Sequence, residues 1–223
     1  KSAYKNIERI VRKASESGIF VRLDMEDSRA TQATIDATLD MQSRGLENIG
    51  LVLQGRLFRT PSDISRVCET LGPKADFRIC KGIYLEPGEI AHTSYQGIVE
   101  GTNKALDMML ESGAYTAIAS HDLPVIDHAL KSLESRGLGP GKDDPRHDNP
   151  ASRAKGKGPG YEFQFLLGVR GNVRRSLAEK GHRTRIYLPY GTKWYEYGMR
   201  RLRENPDVAV PVTKSLFFPW TNR

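Results

Sequence analysis

An α/β fold on a parallel sheet is what this sequence predicts, and three observations predict it. Short apolar runs recur six times, most of them finishing on a polar residue. Amphipathic stretches long enough to cross over a sheet separate the runs, and glycines close them at Gly45, Gly72, Gly113 and Gly181. No Gly-x-Gly-x-x-Gly follows the first run, which weighs against an open dinucleotide-binding sheet. Strict βα alternation requires parallel strands, because only a crossover connection can join them. A (β/α)8 barrel of the TIM type is then the expected architecture. Closing it takes eight strands, and six are visible. The expectation is one barrel domain over 1–223, N-terminally incomplete, holding the last six βα units.

The elements follow in order. Residues 3–17 carry Ile7, Ile10 and Val11 at helical spacing, with Gly18 as the stop. Strands are predicted at 19–24, 49–54, 77–81, 115–120, 162–167 and 185–188. Helices are predicted at 30–44, 61–71, 93–112, 122–137, 169–180 and 192–204. Thr60-Pro61 reads as a cap and an N1 proline, and Thr192 as the cap of the last helix. Residues 138–160 are rich in Gly, Pro, Asp and Lys and almost free of apolar residues, so they read as a flexible inserted loop. His147 with Asp143, Asp144 and Asp148 falls there, without a core to hold metal ligands in place, and no metal site is expected.

At 223 residues and 25.0 kDa the chain can bury a sizeable core. No apolar run approaches the ~18 residues of a membrane-spanning helix. The chain opens at Lys1 directly into a helical pattern, which suggests a fragment or a processed chain. Cys68 and Cys80 are too few for a disulfide framework and read as reduced thiols. The net charge of +7 is concentrated late: ten Lys/Arg against two Glu lie between Arg170 and Arg203. A basic surface suits nucleic acid, anionic lipid or an anionic small molecule. No nucleic-acid-binding motif accompanies it, so nucleic acid is not expected as a partner.

In barrels the chemistry sits at the C-terminal ends of strands. Here those ends are Asp24, Gln54, Lys81, Ser120-His121, Leu166 and Tyr187. Five of six can hydrogen-bond or carry charge, which a ring-shaped ligand site explains better than a structural network. Lys81, Arg78 and His121 supply donors for an anionic or electron-rich group, and Gln54 suits a heterocycle edge. On the last predicted helix, Tyr197, Arg200, Arg201 and Glu204 share one face within an arc of ~80°. Paired guanidiniums there match a carboxylate bidentately, although a solvated charged face is the simpler reading of that helix taken alone.

Six motifs in order carry a resemblance: Gly18 to Ser28, Leu51 to Gln54, Arg78 to Pro87, Ile118 to His121, Tyr161 to Val169, and Arg185 to Glu204. Together they closely resemble the bacterial monofunctional, FAD-dependent proline dehydrogenases, over nearly all the chain except 138–160. The resemblance implies a distorted (βα)8 barrel with FAD at the C-terminal strand ends and the last helix lying across the top. It implies oxidation of L-proline to Δ1-pyrroline-5-carboxylate, the first step of proline catabolism, with hydride passing from proline C5 to flavin N5 and electrons to a quinone. By motif, Asp24 and Arg78 would be the catalytic pair. Arg200 and Arg201 would ion-pair the proline carboxylate, and Tyr187, Tyr197 and Leu166 would wall its ring. Met25, Gln54, Lys81, Gly82, Ile83, Ser120 and His121 would contact the cofactor. Glu204, grouped with them, would brace the lid helix. The expected location is cytoplasmic, with the inner membrane face as a peripheral contact for the basic surface.

The chain departs from the family pattern in places. Ile83 stands where alanine is usual after Lys-Gly, Ser120 where threonine is usual, and Gly55-Arg56 where a small residue and an aromatic are usual. The lysine the family carries near the substrate carboxylate is expected on a strand before Lys1. A truncated or degenerate barrel that binds a ligand without catalysis is the alternative these departures leave open.

Overall fold

The computed structural model describes residues 2–142, 160–188, 190–192, 196 and 199. Among them, six strands form one parallel sheet: β1 (Val21–Leu23), β2 (Ile49–Gln54), β3 (Asp76–Cys80), β4 (Tyr115–Ala119), β5 (Tyr161–Leu166) and β6 (Thr184–Tyr187). Helix α1 (Ser2–Glu16) precedes the sheet. The crossovers hold α2 (Ser28–Ser43), α3 (Thr60–Leu71), α4 (Tyr95–Glu111), α5 (Leu123–Ser135) and α6 (Gly171–Glu179). Sheet order equals chain order, so each crossover steps to the next strand and the winding never reverses. A doubly wound sheet would reverse. This one curls as a half-barrel, with β1 and β6 as its two edges among the described residues.

Register divides every strand between two faces. Leu51 pairs with Phe77, Ile79 with Ile118, Ile118 with Phe163, and Phe165 with Ile186, which makes an apolar row on the outer face. Most of that row is buried against the helices with Ile35, Ile64, Leu106, Met109, Ile126 and Leu177. Alternation puts Arg22, Gly50, Val52, Gln54, Asp76, Arg78, Tyr115, Ala117, Glu162, Gln164 and Arg185 on the other, concave face. Helix α1 packs separately, Val11 meeting Met41, Leu46 and Ile49.

The predicted elements up to the sixth strand recur with shifted ends, and the helix predicted at 192–204 lies largely outside the described residues. The first strand is Val21–Leu23 rather than 19–24, and Phe20 stacks under the Arg22 guanidinium instead, 5.4 Å from ring centroid to carbon. Thr60 is not a helix cap: it is the first helical residue, and its hydroxyl donates to the Gln54 carbonyl at 2.6 Å. The glycine stops hold, with positive φ at Gly18, Gly45, Gly72, Gly113 and Gly181. Of 138–160, residues 143–159, including His147 and its aspartates, lie outside the described residues, whereas Leu138 packs on the main core.

Candidate active site at the C-terminal strand ends

TIM-type barrels ordinarily fill their interior with branched aliphatic residues. This concave face carries charges instead, three of each sign: Arg22, Arg78 and Arg185 with Asp24, Asp76 and Glu162. Near the N-terminal strand ends Arg22 pairs with Asp76, their side chains 8 % and 0 % exposed. Gly50 makes room for them, since a Cβ there would stand 2.9 Å from Asp76 Oδ1 and from the Phe20 ring. Higher up, Glu162 accepts from Arg185 through Nε and Nη2, both at 2.7 Å, and from the Tyr115 hydroxyl at 3.0 Å. Glu162 Oε1 also accepts from Gln164 Nε2 at 2.5 Å. Gln164 Oε1 in turn accepts from Arg78 Nε at 2.7 Å, and Arg78 Nη1 donates to Asp24 Oδ1 at 2.7 Å. Burial first, and the nearby Arg22 charge second, pull the Arg78 pKa below its ordinary value.

The interior chain of contacts ends at the rim. Asp24 is the first residue past β1, its side chain 58 % exposed against 17 % for Arg78. Gln54 closes β2, its Nε2 donating to the Glu26 carbonyl at 2.6 Å, while its Oε1 is buried without a partner. Gly82, with φ +93°, lies against that oxygen, and a Cβ there would collide with it. Arg56 Nε is a second buried atom without a partner beside Gly82. The next connection is tied across the first: Tyr84 donates to Glu26, and Glu86 receives both the backbone N–H and the hydroxyl of Ser28, each at 2.7 Å.

Lys81 pairs with Asp122 at 2.7 Å and lies over the Tyr95 ring at 5.1 Å. The Tyr95 hydroxyl donates to the same carboxylate at 3.0 Å. His121 Nε2 accepts the Leu166 backbone N–H at 2.9 Å, which puts the imidazole proton on Nδ1. Burial first, then the Arg170 and Lys81 charges, push the His121 pKa down to about 4, so the ring is neutral at neutral pH. Arg170 has a left-handed backbone (φ 47°) at the start of α6, the one non-glycine with positive φ among the described residues. Such a conformation costs about 1–2 kcal/mol and clusters at functional sites.

Of the residues named from sequence, the structure gathers Asp24, Arg78, Gln54, Lys81, Gly82, Ser120, His121, Leu166 and Tyr187 at one end of the sheet. Leu166 and Tyr187 are register partners, and Ser120 Oγ accepts the Asp122 N–H at 3.1 Å. Ile83 is 48 % exposed at the same end. Met25 is 7 % exposed, packed with Val52, Leu57 and Ala91, and its sulfur accepts the Thr31 hydroxyl at 2.8 Å. Tyr197, Arg200, Arg201 and Glu204 lie outside the described residues. Sequence reading missed Glu162, Gln164, Arg185 and Asp122. A signal for two of them existed: in Tyr161-Glu-Phe-Gln-Phe-Leu166 the polar residues alternate with buried aromatics, which places them together on the concave face.

The sequence model of the proline dehydrogenase family (Pro_dh) matches residues 2–214. The proline dehydrogenase of Deinococcus radiodurans is 34 % identical over 212 residues, covering 95 % of this chain and 62 % of that protein. Proline dehydrogenase 2 of Bacillus subtilis is 34 % identical over 204 residues, covering 92 % of this chain and 60 % of that protein. The chain thus spans about 60 % of the length of these relatives. Among solved structures, proline utilization A of Bdellovibrio bacteriovorus, inactivated by N-propargylglycine, superposes with a TM-score of 0.71 at 19 % identity. It covers 85 % of this chain and 20 % of that one. At that identity the likeness establishes the fold, a TIM-type barrel segment.

Proposed function

This chain belongs to the proline dehydrogenase family, and on that premise we propose that it oxidises L-proline to Δ1-pyrroline-5-carboxylate as an FAD-dependent dehydrogenase. The observation that carries the reading is Arg78. Its guanidinium is held at Nε by Gln164 and at Nη1 by Asp24, and Nη2 has no partner among the described residues. A cation fixed in this way, its side chain reaching Asp24 from the middle of β3, is preorganised for negative charge that develops during reaction.

The rim fits FAD on its donor chemistry. Arg78 and Lys81 suit an electron-rich ring or a phosphate, and neutral His121 offers Nδ1–H. The buried, partnerless Gln54 Oε1 keeps hydrogen-bonding capacity, and Gly82 lets it and the Arg56 side chain approach the backbone closely. Gln54, Lys81, Gly82, Ile83, Ser120 and His121 would hold it, with Met25 packed beneath. When bound, FAD supplies the two-electron acceptor for the proline C5–H bond.

The remaining steps belong to the protein. Arg200 and Arg201 would grip the substrate carboxylate, with Leu166, Tyr187 and Tyr197 walling the ring and Glu204 bracing the helix that carries the clamp. That grip fixes C5 in place, which is the proximity contribution. C5 gives up hydride only if the ring nitrogen's lone pair is free to close the C=N bond, so proline must react as the neutral amine. The nitrogen then sheds its N–H proton to leave the imine. Asp24 Oδ1 is engaged by Arg78, and its side chain is 58 % exposed; in this proposal Oδ2 would accept the proton from the ring nitrogen.

The electron acceptor in this proposal is a quinone, reached from the cytoplasmic side, with the basic sequence of 170–203 favouring contact with anionic lipid. Among the described residues no helix is long and apolar enough to cross a membrane. The test is the full-length protein itself: it should purify yellow, and proline should bleach the flavin absorbance. Protein without flavin, or with flavin that proline leaves oxidised, overturns the proposal. Arg201→Ala should raise KM for proline by far more than it lowers flavin content, because losing one partner of a desolvated charge pair costs roughly 2–5 kcal/mol.

A further inference from the structure

Arg78 reaches the rim from a strand whose neighbours could leave it several orientations. Its Asp24 partner is 58 % exposed and loosely fixed, so an ion pair there does little to select one. The contact on the other side is different. Gln164 is 7 % exposed and Glu162 1 %. Glu162 is clamped by Nε and Nη2 of the Arg185 guanidinium and by the Tyr115 hydroxyl. Its remaining capacity on Oε1 takes the Gln164 amide N–H at 2.5 Å.

An amide has a donor end and an acceptor end, and only one arrangement satisfies both neighbours. With Nε2 committed to a carboxylate, which can only accept, Oε1 must face Arg78, which can only donate. Reversing the amide would set NH2 against guanidinium and oxygen against carboxylate. We propose that Gln164, oriented by Glu162, is the positioning residue that holds Arg78 with Nη2 left over for the ligand. The inference rests on the function proposed above, since it concerns how Arg78 is aimed in that reaction. Gln164 touches neither substrate nor cofactor; it acts through Arg78.

The arrangement also makes the site's charge legible. Glu162 and Arg185 neutralise each other below the rim, so the Gln164 dipole reaches Arg78 without adding net charge. A carboxylate at 164 would cancel the Arg78 charge that the reaction uses. An amide fixes the guanidinium and leaves its charge intact.

The test uses the full-length flavin-loaded protein with Gln164→Met, a near-isosteric change. Flavin content should stay within about twofold and KM for proline within about threefold, while kcat falls about 30-fold, the pattern of an interaction used mainly at the transition state. Independently of turnover, the flavin midpoint potential should shift negative, in the same direction as in Arg78→Met but by less, because positive charge near the ring is no longer held in place. In the Arg78→Met background, adding Gln164→Met should change kcat by less than about twofold, as expected for two residues acting as one unit. If Gln164→Met does not fold, Gln164→Asn, which retracts the amide by one methylene, carries the same expectations. Unaltered kcat and potential, or losses that simply multiply in the double variant, overturn the inference. A wild-type protein that binds no flavin or leaves proline unoxidised overturns the underlying function and this inference with it. A normal wild type beside an unaltered Gln164→Met overturns this inference alone.

Discussion

The two faces of the sheet are built from the same six strands and obey opposite rules. On the outer face, Phe77, Ile79, Ile118, Phe163 and Phe165 are all at most 1 % exposed and share one cluster with the helices. On the concave face, one residue away along each strand, Arg22, Asp76, Arg78, Glu162, Gln164 and Arg185 link β1, β3, β5 and β6 through side-chain hydrogen bonds. Apolar burial contributes about 25 cal/mol per Å2 and does not require exact angles. A buried charge network demands geometry at each contact and contributes little net stability, because desolvation offsets most of the attraction. The outer face therefore holds the fold, and the concave face holds side chains in fixed positions, which the proposed reaction would use.

Single substitutions on the two faces can break this contrast. The largest loss is expected from Phe163→Ala, which empties a fully buried site at the middle of β5 and should cost about 3–5 kcal/mol in urea unfolding. A loss below ~1 kcal/mol would mean that the outer cluster does not carry the fold. On the concave face, Asp76→Ala should cost nearly as much, about 3–5 kcal/mol, because it strands the Arg22 charge at 8 % exposure. The sharper half of the comparison is the double replacement Arg22→Met with Asp76→Leu. It removes both charges and should be within ~1 kcal/mol of wild type or more stable. No pair of outer-face aromatics should tolerate joint removal in that way. A double variant as unstable as Asp76→Ala alone would show that the ion pair stabilises the fold outright.

The same contrast explains what the sequence disclosed. The outer face and its punctuation are local signals: apolar period, glycine at helix ends, crossover length. These placed six parallel strands and five glycine stops. Strand ends and helix starts moved by a few residues because side-chain partners decide them. Thr60 carries the residue type of a cap, yet its hydroxyl goes to the Gln54 carbonyl, a contact between a helix start and a strand end that no local pattern contains. The rim residues were legible singly as polar strand ends. Their partners were not, because Lys81–Asp122, Arg78–Gln164 and Tyr84–Glu26 join segments 41, 86 and 58 residues apart. Met25, named beside the cofactor by the family motif, has a side chain that packs with Val52, Leu57 and Ala91, a grouping that no local pattern contains.

The smallest effect expected separates the rim from both faces, and it is a pH effect. His121 is the rim residue whose proton affinity the fold changes most clearly, from about 6.5 in an unfolded chain to about 4, chiefly through burial. Between those values the unfolded state binds a proton that the folded state refuses. Stability therefore rises with pH through that window and is flat, for this group, above about 6.5. The full shift would correspond to roughly 3 kcal/mol, and residual solvent access at the rim reduces the expected effect to about 1–2 kcal/mol. His182, also lowered by burial, contributes with the same sign near the opposite strand ends, so a wild-type pH profile alone would not assign the effect. Comparing flavin-free wild type with His121→Gln does: a neutral acceptor for the Leu166 N–H is retained, and the titration is lost. Urea unfolding at pH 5 and pH 7.5 should show about 1 kcal/mol less pH dependence in the variant. Equal slopes would mean that the folded imidazole titrates as if in water. The rim would then be open to solvent at His121, and burial would not be what keeps its imidazole neutral.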